Sequence, residues 1–122
     1  MMNLSAQVKL FNAYLHRGET LKAMEFFFAD NITMHENEEP ARVGKNVCME
    51  HERKMLESVD NFEIEILNQA INEQSGLVFT ELEIQFTPKN SVPLKILEVS
   101  VQTWENGKIT KDKFYYKAIL KA

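Results

Sequence analysis

The tetrapeptide Glu105-Asn106-Gly107-Lys108 constrains this chain more than any other stretch. It stands inside a segment of strand-forming residues that runs from Leu94 to Ala118. Asn-Gly between two such runs is the strongest short-range mark of a β-hairpin, because a type I′ turn needs positive φ at both central positions. Beyond the turn the residues alternate. Lys111, Lys113 and Lys117 fall on one parity; Asp112, Phe114, Tyr116 and Ala118 fall on the other. Successive strand side chains point to opposite faces. One face is therefore solvated, and the other looks into an apolar interior and carries an aspartate with it.

With 122 residues, the chain is expected to form a single domain over 1–122, large enough to bury roughly two-thirds of its unfolded surface. The net charge of −4 and the lack of any Lys/Arg cluster argue against a nucleic-acid partner. No apolar run approaches the roughly 20 residues of a membrane span, so no membrane partner is expected. Met1-Met2-Asn3-Leu4-Ser5 lacks the charged region and apolar core of a signal peptide. Cys48 is the single cysteine, which excludes an internal disulfide. A reducing, cytoplasmic setting is the expectation.

Leu4, Val8, Phe11 and Leu15 follow helical spacing, with Tyr14 beside them. They predict a helix from about Asn3 to His16, ended near Gly18. Thr20 can cap a second short helix with Leu21, Met24, Phe27 and Phe28 on its apolar face. Ala29-Asp30-Asn31 reads as a break, Ile32 to Glu36 as a short strand, and the acidic stretch to Pro40 as a loop. A third helix is expected from about Lys45 to Ser58. Val47, Cys48, Met55, Leu56 and Val59 form its apolar stripe, interrupted by His51, and Glu50, Glu52, Arg53, Lys54 and Glu57 cover the rest. From Phe62 onward the period changes to two. Phe62, Ile64 and Ile66 alternate with Glu63 and Glu65; Val78, Thr80, Leu82, Ile84 and Phe86 alternate with Phe79, Glu81, Glu83 and Gln85. Gln74-Ser75-Gly76 and Pro88-Lys89-Asn90-Ser91 supply the turns.

Three helices thus precede four antiparallel strands, an α+β order with the helices on one face of a curved sheet. The outer face carries Glu63, Glu65, Glu81 and Glu83 against Lys111, Lys113 and Lys117. It is either a solvated surface or, with Leu97, Val99, Val101 and Tyr115 on the same side, an interface.

Three stretches carry a resemblance. Gly18-Glu19-Thr20-Leu21 through Phe28-Ala29-Asp30-Asn31, Arg42-Val43-Gly44-Lys45, and Asn106-Gly107-Lys108-Ile109 through Phe114-Tyr115-Tyr116 occur in the order and spacing of the nuclear transport factor 2-like superfamily. Within it the chain resembles the SnoaL-like polyketide cyclases over nearly its whole length. The resemblance implies a cone-shaped α+β barrel, with three N-terminal helices packed on a strongly curved, mainly antiparallel sheet around a pocket. It also implies a homodimer through the outer sheet face. Members include isomerases, cyclases, dehydratases and epoxide hydrolases as well as binding domains, so the fold alone does not give the activity.

Ketosteroid isomerase, a relative in that superfamily, supplies a comparison. Its base lies at the end of the first strand, where this chain has Glu36. Its oxyanion hole uses a tyrosine and a protonated aspartic acid; the corresponding places hold Phe11 and Ser100. A phenyl ring donates no hydrogen bond and a serine hydroxyl is a weak substitute. Losing both donors removes about 3–4 kcal/mol of transition-state stabilisation each, which argues against steroid isomerisation. Tyr14, one turn further on, offers a hydroxyl if it points inward.

His35 and Glu36 are adjacent on a strand, so only one of them enters the pocket; the resemblance favours Glu36, with Met34 on its side. A carboxylate in an apolar pocket has a raised pKa and suits general acid–base work; the plain alternative is a rim glutamate beside Glu38 and Glu39. The resemblance points Asp112 inward with Phe114 and Tyr116, where SnoaL-like cyclases hold their base; the alternative is a structural aspartate near the strand start, bonded to a helix end or exposed at the cone mouth. His51 could shuttle a proton near either acid, or be a half-buried, satisfied histidine. His35-Glu36 and His51-Glu52 lack the i, i+4 histidine pair of a helical zinc site. No metal and no cofactor are expected. A hydrolase built on paired acids and an arginine would need an inward Arg, and Arg17, Arg42 and Arg53 all read as surface residues.

Two functional expectations follow. One is a cofactor-free isomerase, cyclase or dehydratase acting on a small apolar or polyketide-like molecule. Glu36 or Asp112 would be the base, and Tyr14, Tyr116 or His51 the donor. Its pocket would be lined by Phe11, Tyr14, Phe27, Met34, Met55, Thr80, Leu82, Ile84, Ser100, Phe114 and Tyr116. The other is a non-catalytic binding or dimerisation module whose interior its own side chains fill.

Overall fold

A computed structural model describes residues 2–122. The chain runs α1 (Leu4–His16), α2 (Thr20–Phe27), β1 (Phe28–Glu36), β2 (Arg42–Val43), α3 (Lys45–Glu57), β3 (Val59–Asn72), β4 (Leu77–Pro88), β5 (Leu94–Glu105), β6 (Lys108–Tyr115) and β7 (Ile119–Lys121). Asn3 starts α1: its Oδ1 accepts from the Ala6 N–H at 2.8 Å. Glu73, on the turn after β3, accepts from the Leu4 and Ser5 N–H groups at 3.1 and 2.9 Å, tying α1 to the sheet.

The strands form one curved, open sheet in the order β2-β1-β6-β5-β4-β3. β1 runs parallel to β6, and the other neighbours are antiparallel. The expected hairpin is present, with Asn106 at φ 51° and Gly107 at φ 77°. Register shifts between Asp60 and Glu63 and between Ile66 and Asn68 bend β3 against β4, and a third lies between Thr103 and Trp104. Such irregularities add local bend and twist, which lets a sheet curl around helices. Gly76 is fixed by a close approach as well as by φ 75°: a Cβ there would lie 2.4 Å from the Trp104 carbonyl oxygen.

Two strands escape the sequence pattern. β2 is two residues long, too short to show a period, and forms because Thr33 and Met34 of β1 pair with it. β7 follows a break after Tyr115 and pairs with Leu94–Ile96 of β5. Ala29-Asp30-Asn31 is part of β1 rather than a break, because the chain passes from α2 into the strand at Phe28 without a loop. The sheet therefore has seven strands.

Inward residues alternate as the period-two pattern predicts: Val78, Thr80 and Leu82 are buried, Phe79 and Glu81 exposed. One end of the concave face is solid. Val8, Phe11, Ala23, Met24, Phe28, Ile32, Val78, Trp104 and Ile109 are buried together there. Phe11, Phe27 and Trp104 meet with ring centroids 5.6–5.9 Å apart. The other end, under α3 and the Leu94 end of β5, is hollow. Among the described residues no helix is long and apolar enough to cross a membrane.

Candidate active site

The hollow end holds a cavity of about 340 Å³. Its wall is largely apolar: Phe11 and Leu15 of α1, Met24 of α2, Met34 of β1, Met55 of α3, and Phe62, Ile64, Leu82, Ile84, Phe86 and Ile96 of the sheet, with Phe114 and Tyr116 closing one side. Set into that wall are Glu36, Arg42, His51, Glu52, Glu98, Ser100, Gln102 and Asp112.

Asp112 is the most enclosed of the acids, 8% exposed. Its position follows from register: Gln102 of β5 lies directly opposite, and Ser100 two residues along on the same inner face. Ser100 Oγ donates to Asp112 Oδ1 at 2.9 Å, and Gln102 Nε2 donates to Oδ2 at 3.2 Å. Gln102 cannot flip. The indole N–H of Trp104, which can only donate, occupies Gln102 Oε1 at 3.0 Å and leaves the amide nitrogen for Asp112. Burial pushes the Asp112 carboxyl above the usual carboxylate range; the Ser100 and Gln102 hydrogen bonds and the Arg42 charge oppose that shift. Asp112 thus bonds to a neighbouring strand, not to a helix end.

Glu36 and His35 part as adjacent strand residues must. Glu36 lines the cavity. His35 lies 3.3 Å from Thr33 Oγ1, and burial together with Lys113 and Lys111 lowers its pKa. Tyr116 donates its phenolic O–H to Glu36, and that bond is the main cause pushing the phenol up to about 12. Asn37 fixes Tyr116 from the backbone side, its Oδ1 accepting from the Tyr116 N–H at 3.0 Å.

The structure corrects the reading of Arg42. Its side chain is only 18% exposed, with Nη1 3.4 Å from Glu36 Oε1. The guanidinium lies 5.7 Å from the centroid of the Phe114 ring. Arg42 is carried on β2, the strand too short to be read, and the pairing of that strand with Met34 turns it inward. Glu52 belongs by pattern to the solvated side of α3, yet its side chain faces the cavity. Burial raises it to about 7, with Asp112 and Glu36 adding to the shift and Arg42 opposing it. Glu98, which no pattern singles out, is raised to about 8 by burial, then by Asp112, Glu52 and Glu36. Only the alternation of β5, with Ser100 inward, could have placed Glu98 inside.

Three expected wall residues lie elsewhere. Tyr14 packs on Phe26 and Phe27, and the Arg17 guanidinium lies 4.7 Å from its ring centroid. Phe27 belongs to the solid end, against Phe11 and Trp104. Thr80 is buried behind the wall and accepts from Gln69 Nε2 at 2.8 Å. Each shares a helix or strand with true wall residues, and position along the element decides which end it reaches. His51 lines the cavity but is an exposed residue, not a half-buried one. Among the described residues, no group of three or more His, Cys, Asp or Glu is spaced to hold a metal ion.

Four carboxylates from β1, α3, β5 and β6 thus share one apolar cavity with one arginine. Such an arrangement can hold a small apolar molecule, orient its oxygen atoms and move protons between groups of different proton affinity.

No protein-family model matches the chain, and no curated protein matches its sequence significantly. Solved structures do match. A Mesorhizobium loti protein assigned to the SnoaL-like polyketide cyclases aligns over 94% of this chain and 100% of its own, with 26% identity and a TM-score of 0.81. SalBIII, an epoxide hydrolase/cyclase-like enzyme with a role in pyran ring formation in the polyether salinomycin, aligns over 98% and 95%, with 19% identity and a TM-score of 0.81. A Mycobacterium tuberculosis LEH-like epoxide hydrolase aligns over 93% and 78%, with 17% identity and a TM-score of 0.76. The chain therefore has the fold of these SnoaL-like and nuclear transport factor 2-like proteins, three helices on a curved mixed sheet.

Proposed function

We propose that this protein binds a small, largely apolar molecule in the cavity and acts on it by cofactor-free proton transfer, as an isomerase, cyclase or dehydratase. One observation carries the reading: a carboxylate, Asp112, faces a hollow apolar cavity while two side-chain donors fix its orientation. A carboxylate whose proton affinity is raised by burial is a stronger base when ionised. Asp112 takes a proton from an acidic carbon of the substrate. Glu98, raised to about 8, carries a proton at neutral pH and gives it to the substrate oxygen. Glu36, held by Tyr116 and Arg42, shapes the field between them. The structural likeness to polyketide cyclases and to an enzyme of pyran ring formation supports a ring-forming or proton-shifting reaction.

Arg42 favours a second reading, the opening of an epoxide by water. An inward arginine beside several acids can polarise an epoxide oxygen while a carboxylate draws a proton from water. The fold shared with the LEH-like epoxide hydrolase supports it.

Asp112→Asn tests both readings. Ser100 can turn its hydroxyl to accept from the new amide, so the fold is preserved. With small ketones, enols and epoxides as substrates and product mass as the readout, the variant should bind as the wild type does and lose about 10²–10⁴-fold in turnover. Wild-type turnover in both Asp112→Asn and Glu36→Gln would refute catalysis by these carboxylates, and binding without turnover by the wild type itself would leave a binding module.

We also propose that the outer sheet face joins a second copy. Leu97, Val99 and Tyr115 are exposed there beside Phe79, and Val99 lies directly opposite Tyr115.

A further inference from the structure

The proposed mechanism uses Asp112, Glu98 and Glu36 and leaves one cavity acid idle, Glu52 of α3. The acids differ in what their neighbours supply. Ser100 and Gln102 donate to Asp112. Tyr116 donates to Glu36, and Arg42 lies against it. Glu52 has no such partner: among the described residues only burial and nearby charges act on its carboxyl, and no donor reaches it. Its flanking residues His51 and Arg53 are exposed, whereas Glu52 is half-buried. Arg53 turns to Glu50 and Glu57 on the outer face of α3 and gives Glu52 no counter-ion.

Nor is the Glu52 carboxylate sealed off. The sealed polar atoms without a partner, among the described side chains, are Thr20 Oγ1 and Arg42 Nε. Glu52 keeps accessible surface and lines the cavity, so its free acceptors open on the hollow. The charge count points the same way. Four carboxylates and one guanidinium line the wall, and Glu36 takes the guanidinium. Glu98, like Glu52, has neither a hydrogen-bond donor nor a counter-ion. An enclosed carboxylate without a partner is costly, and a cation placed beside it relieves that cost.

We propose that the ligand supplies this cation: the small apolar molecule carries a protonated basic nitrogen, and Glu52 is the specificity-determining contact that receives it. An ammonium N–H donates to the carboxylate in a charge-assisted hydrogen bond, while the carbon skeleton lies on the apolar wall. Of the groups that face Glu52, Asp112, Glu36 and Glu98 strengthen the attraction for a cation and Arg42 weakens it. His51, exposed on the same helix, also lines the wall. The inference rests on the proposed binding of a small molecule in this cavity.

The test uses two probes of one length and shape, n-octylamine and 1-octanol, titrated calorimetrically into the wild type, Glu52→Gln and Glu63→Gln. The amine stays an ammonium up to about pH 10. At pH 8 it should bind the wild type about tenfold tighter than the alcohol. At pH 6 the preference should fade, because Glu52, raised to about 7, then holds its own proton. Glu52→Gln should lose the preference at pH 8. Glutamine keeps the shape and removes an enclosed charge, so the variant should melt no lower than the wild type. Glu63 is an exposed carboxylate of β3, and Glu63→Gln should keep the preference. Equal binding of the two probes by the wild type, or a preference that Glu52→Gln retains, overturns the inference while leaving the cavity a site for neutral molecules. An equal loss in Glu63→Gln overturns it as general attraction to an acidic surface. If neither probe binds the wild type, this inference fails together with the small-molecule reading beneath it.

Discussion

Removing the carboxylate of Glu98 should stabilise the fold, and by an amount that grows with pH. Glu98 is half-buried on the cavity wall, and its pKa rises from an ordinary 4.5 to about 8, chiefly because burial penalises its charge. An unfolded chain releases this proton near the ordinary value, whereas the folded chain keeps it until about pH 8. The folded state therefore binds more protons across that window, and stability falls as pH rises through it. A tenfold change in proton affinity corresponds to about 1.4 kcal/mol, so the whole rise corresponds to about 5 kcal/mol. Relaxation of the wall and water entry reduce this to about 3 kcal/mol. A glutamine at this position has no proton to lose. In urea unfolding, the advantage of Glu98→Gln over the wild type should be small at pH 5 and grow by about 3 kcal/mol by pH 8, or about 2 M in midpoint at an ordinary urea slope. A difference that stays flat between pH 5 and 8 would refute an unpaired, buried Glu98. If Glu98 also serves as the acid, the stabilised variant should turn over more slowly, the usual exchange of activity for stability at such sites.

Gly76→Ala should lower stability by about 2 kcal/mol or more, read as a fall in melting temperature, because the added Cβ meets backbone rather than a yielding side chain and φ is positive. Val99→Lys should convert a dimer into a monomer in sedimentation velocity with little change in melting temperature, since Val99 is exposed within one copy; a monomeric wild type would remove the interface proposal.

The sequence and the structure agree wherever a period runs long enough to be heard. Three helices and the inner faces of β4 and β6 follow directly from spacing, and Asp112 and Phe114 line the cavity because alternation fixes them; Ser100 is placed by resemblance, and Tyr116, just beyond β6, is held by Asn37. The misses have physical causes. Arg42 sits on a strand of two residues, where periodicity has no meaning and pairing with β1 decides orientation. Glu52 and Glu98 are charged residues inside, which patterning assigns to solvent by default; enclosure among other acids is a property of several elements together, not of either segment. Tyr14, Phe27 and Thr80 point inward or toward the helices but not to the hollow end, and depth along an element depends on how the sheet bends. Thr20 reads from the sequence as the cap of α2, but Glu19 holds the cap position, Thr20 is the first helical residue, and its hydroxyl caps nothing.

The parallel pairing of β1 with β6 has a consequence for how the molecule comes into being. Phe28 pairs with Ile109, and Glu36 meets Tyr116 across 80 residues of chain. During synthesis β1 emerges long before β6, so it waits with only the two residues of β2 paired to it and its other edge open, beside helices that lack a sheet to cover. Contacts so distant in sequence form late and slowly, because loop closure must precede them. The β3–β4 and β5–β6 hairpins can form locally, and docking β6 beside β1 then closes the sheet. That single late event brings Asp112, Glu36 and Tyr116 into one cavity, so a chain arrested before it has most of its secondary structure and no site.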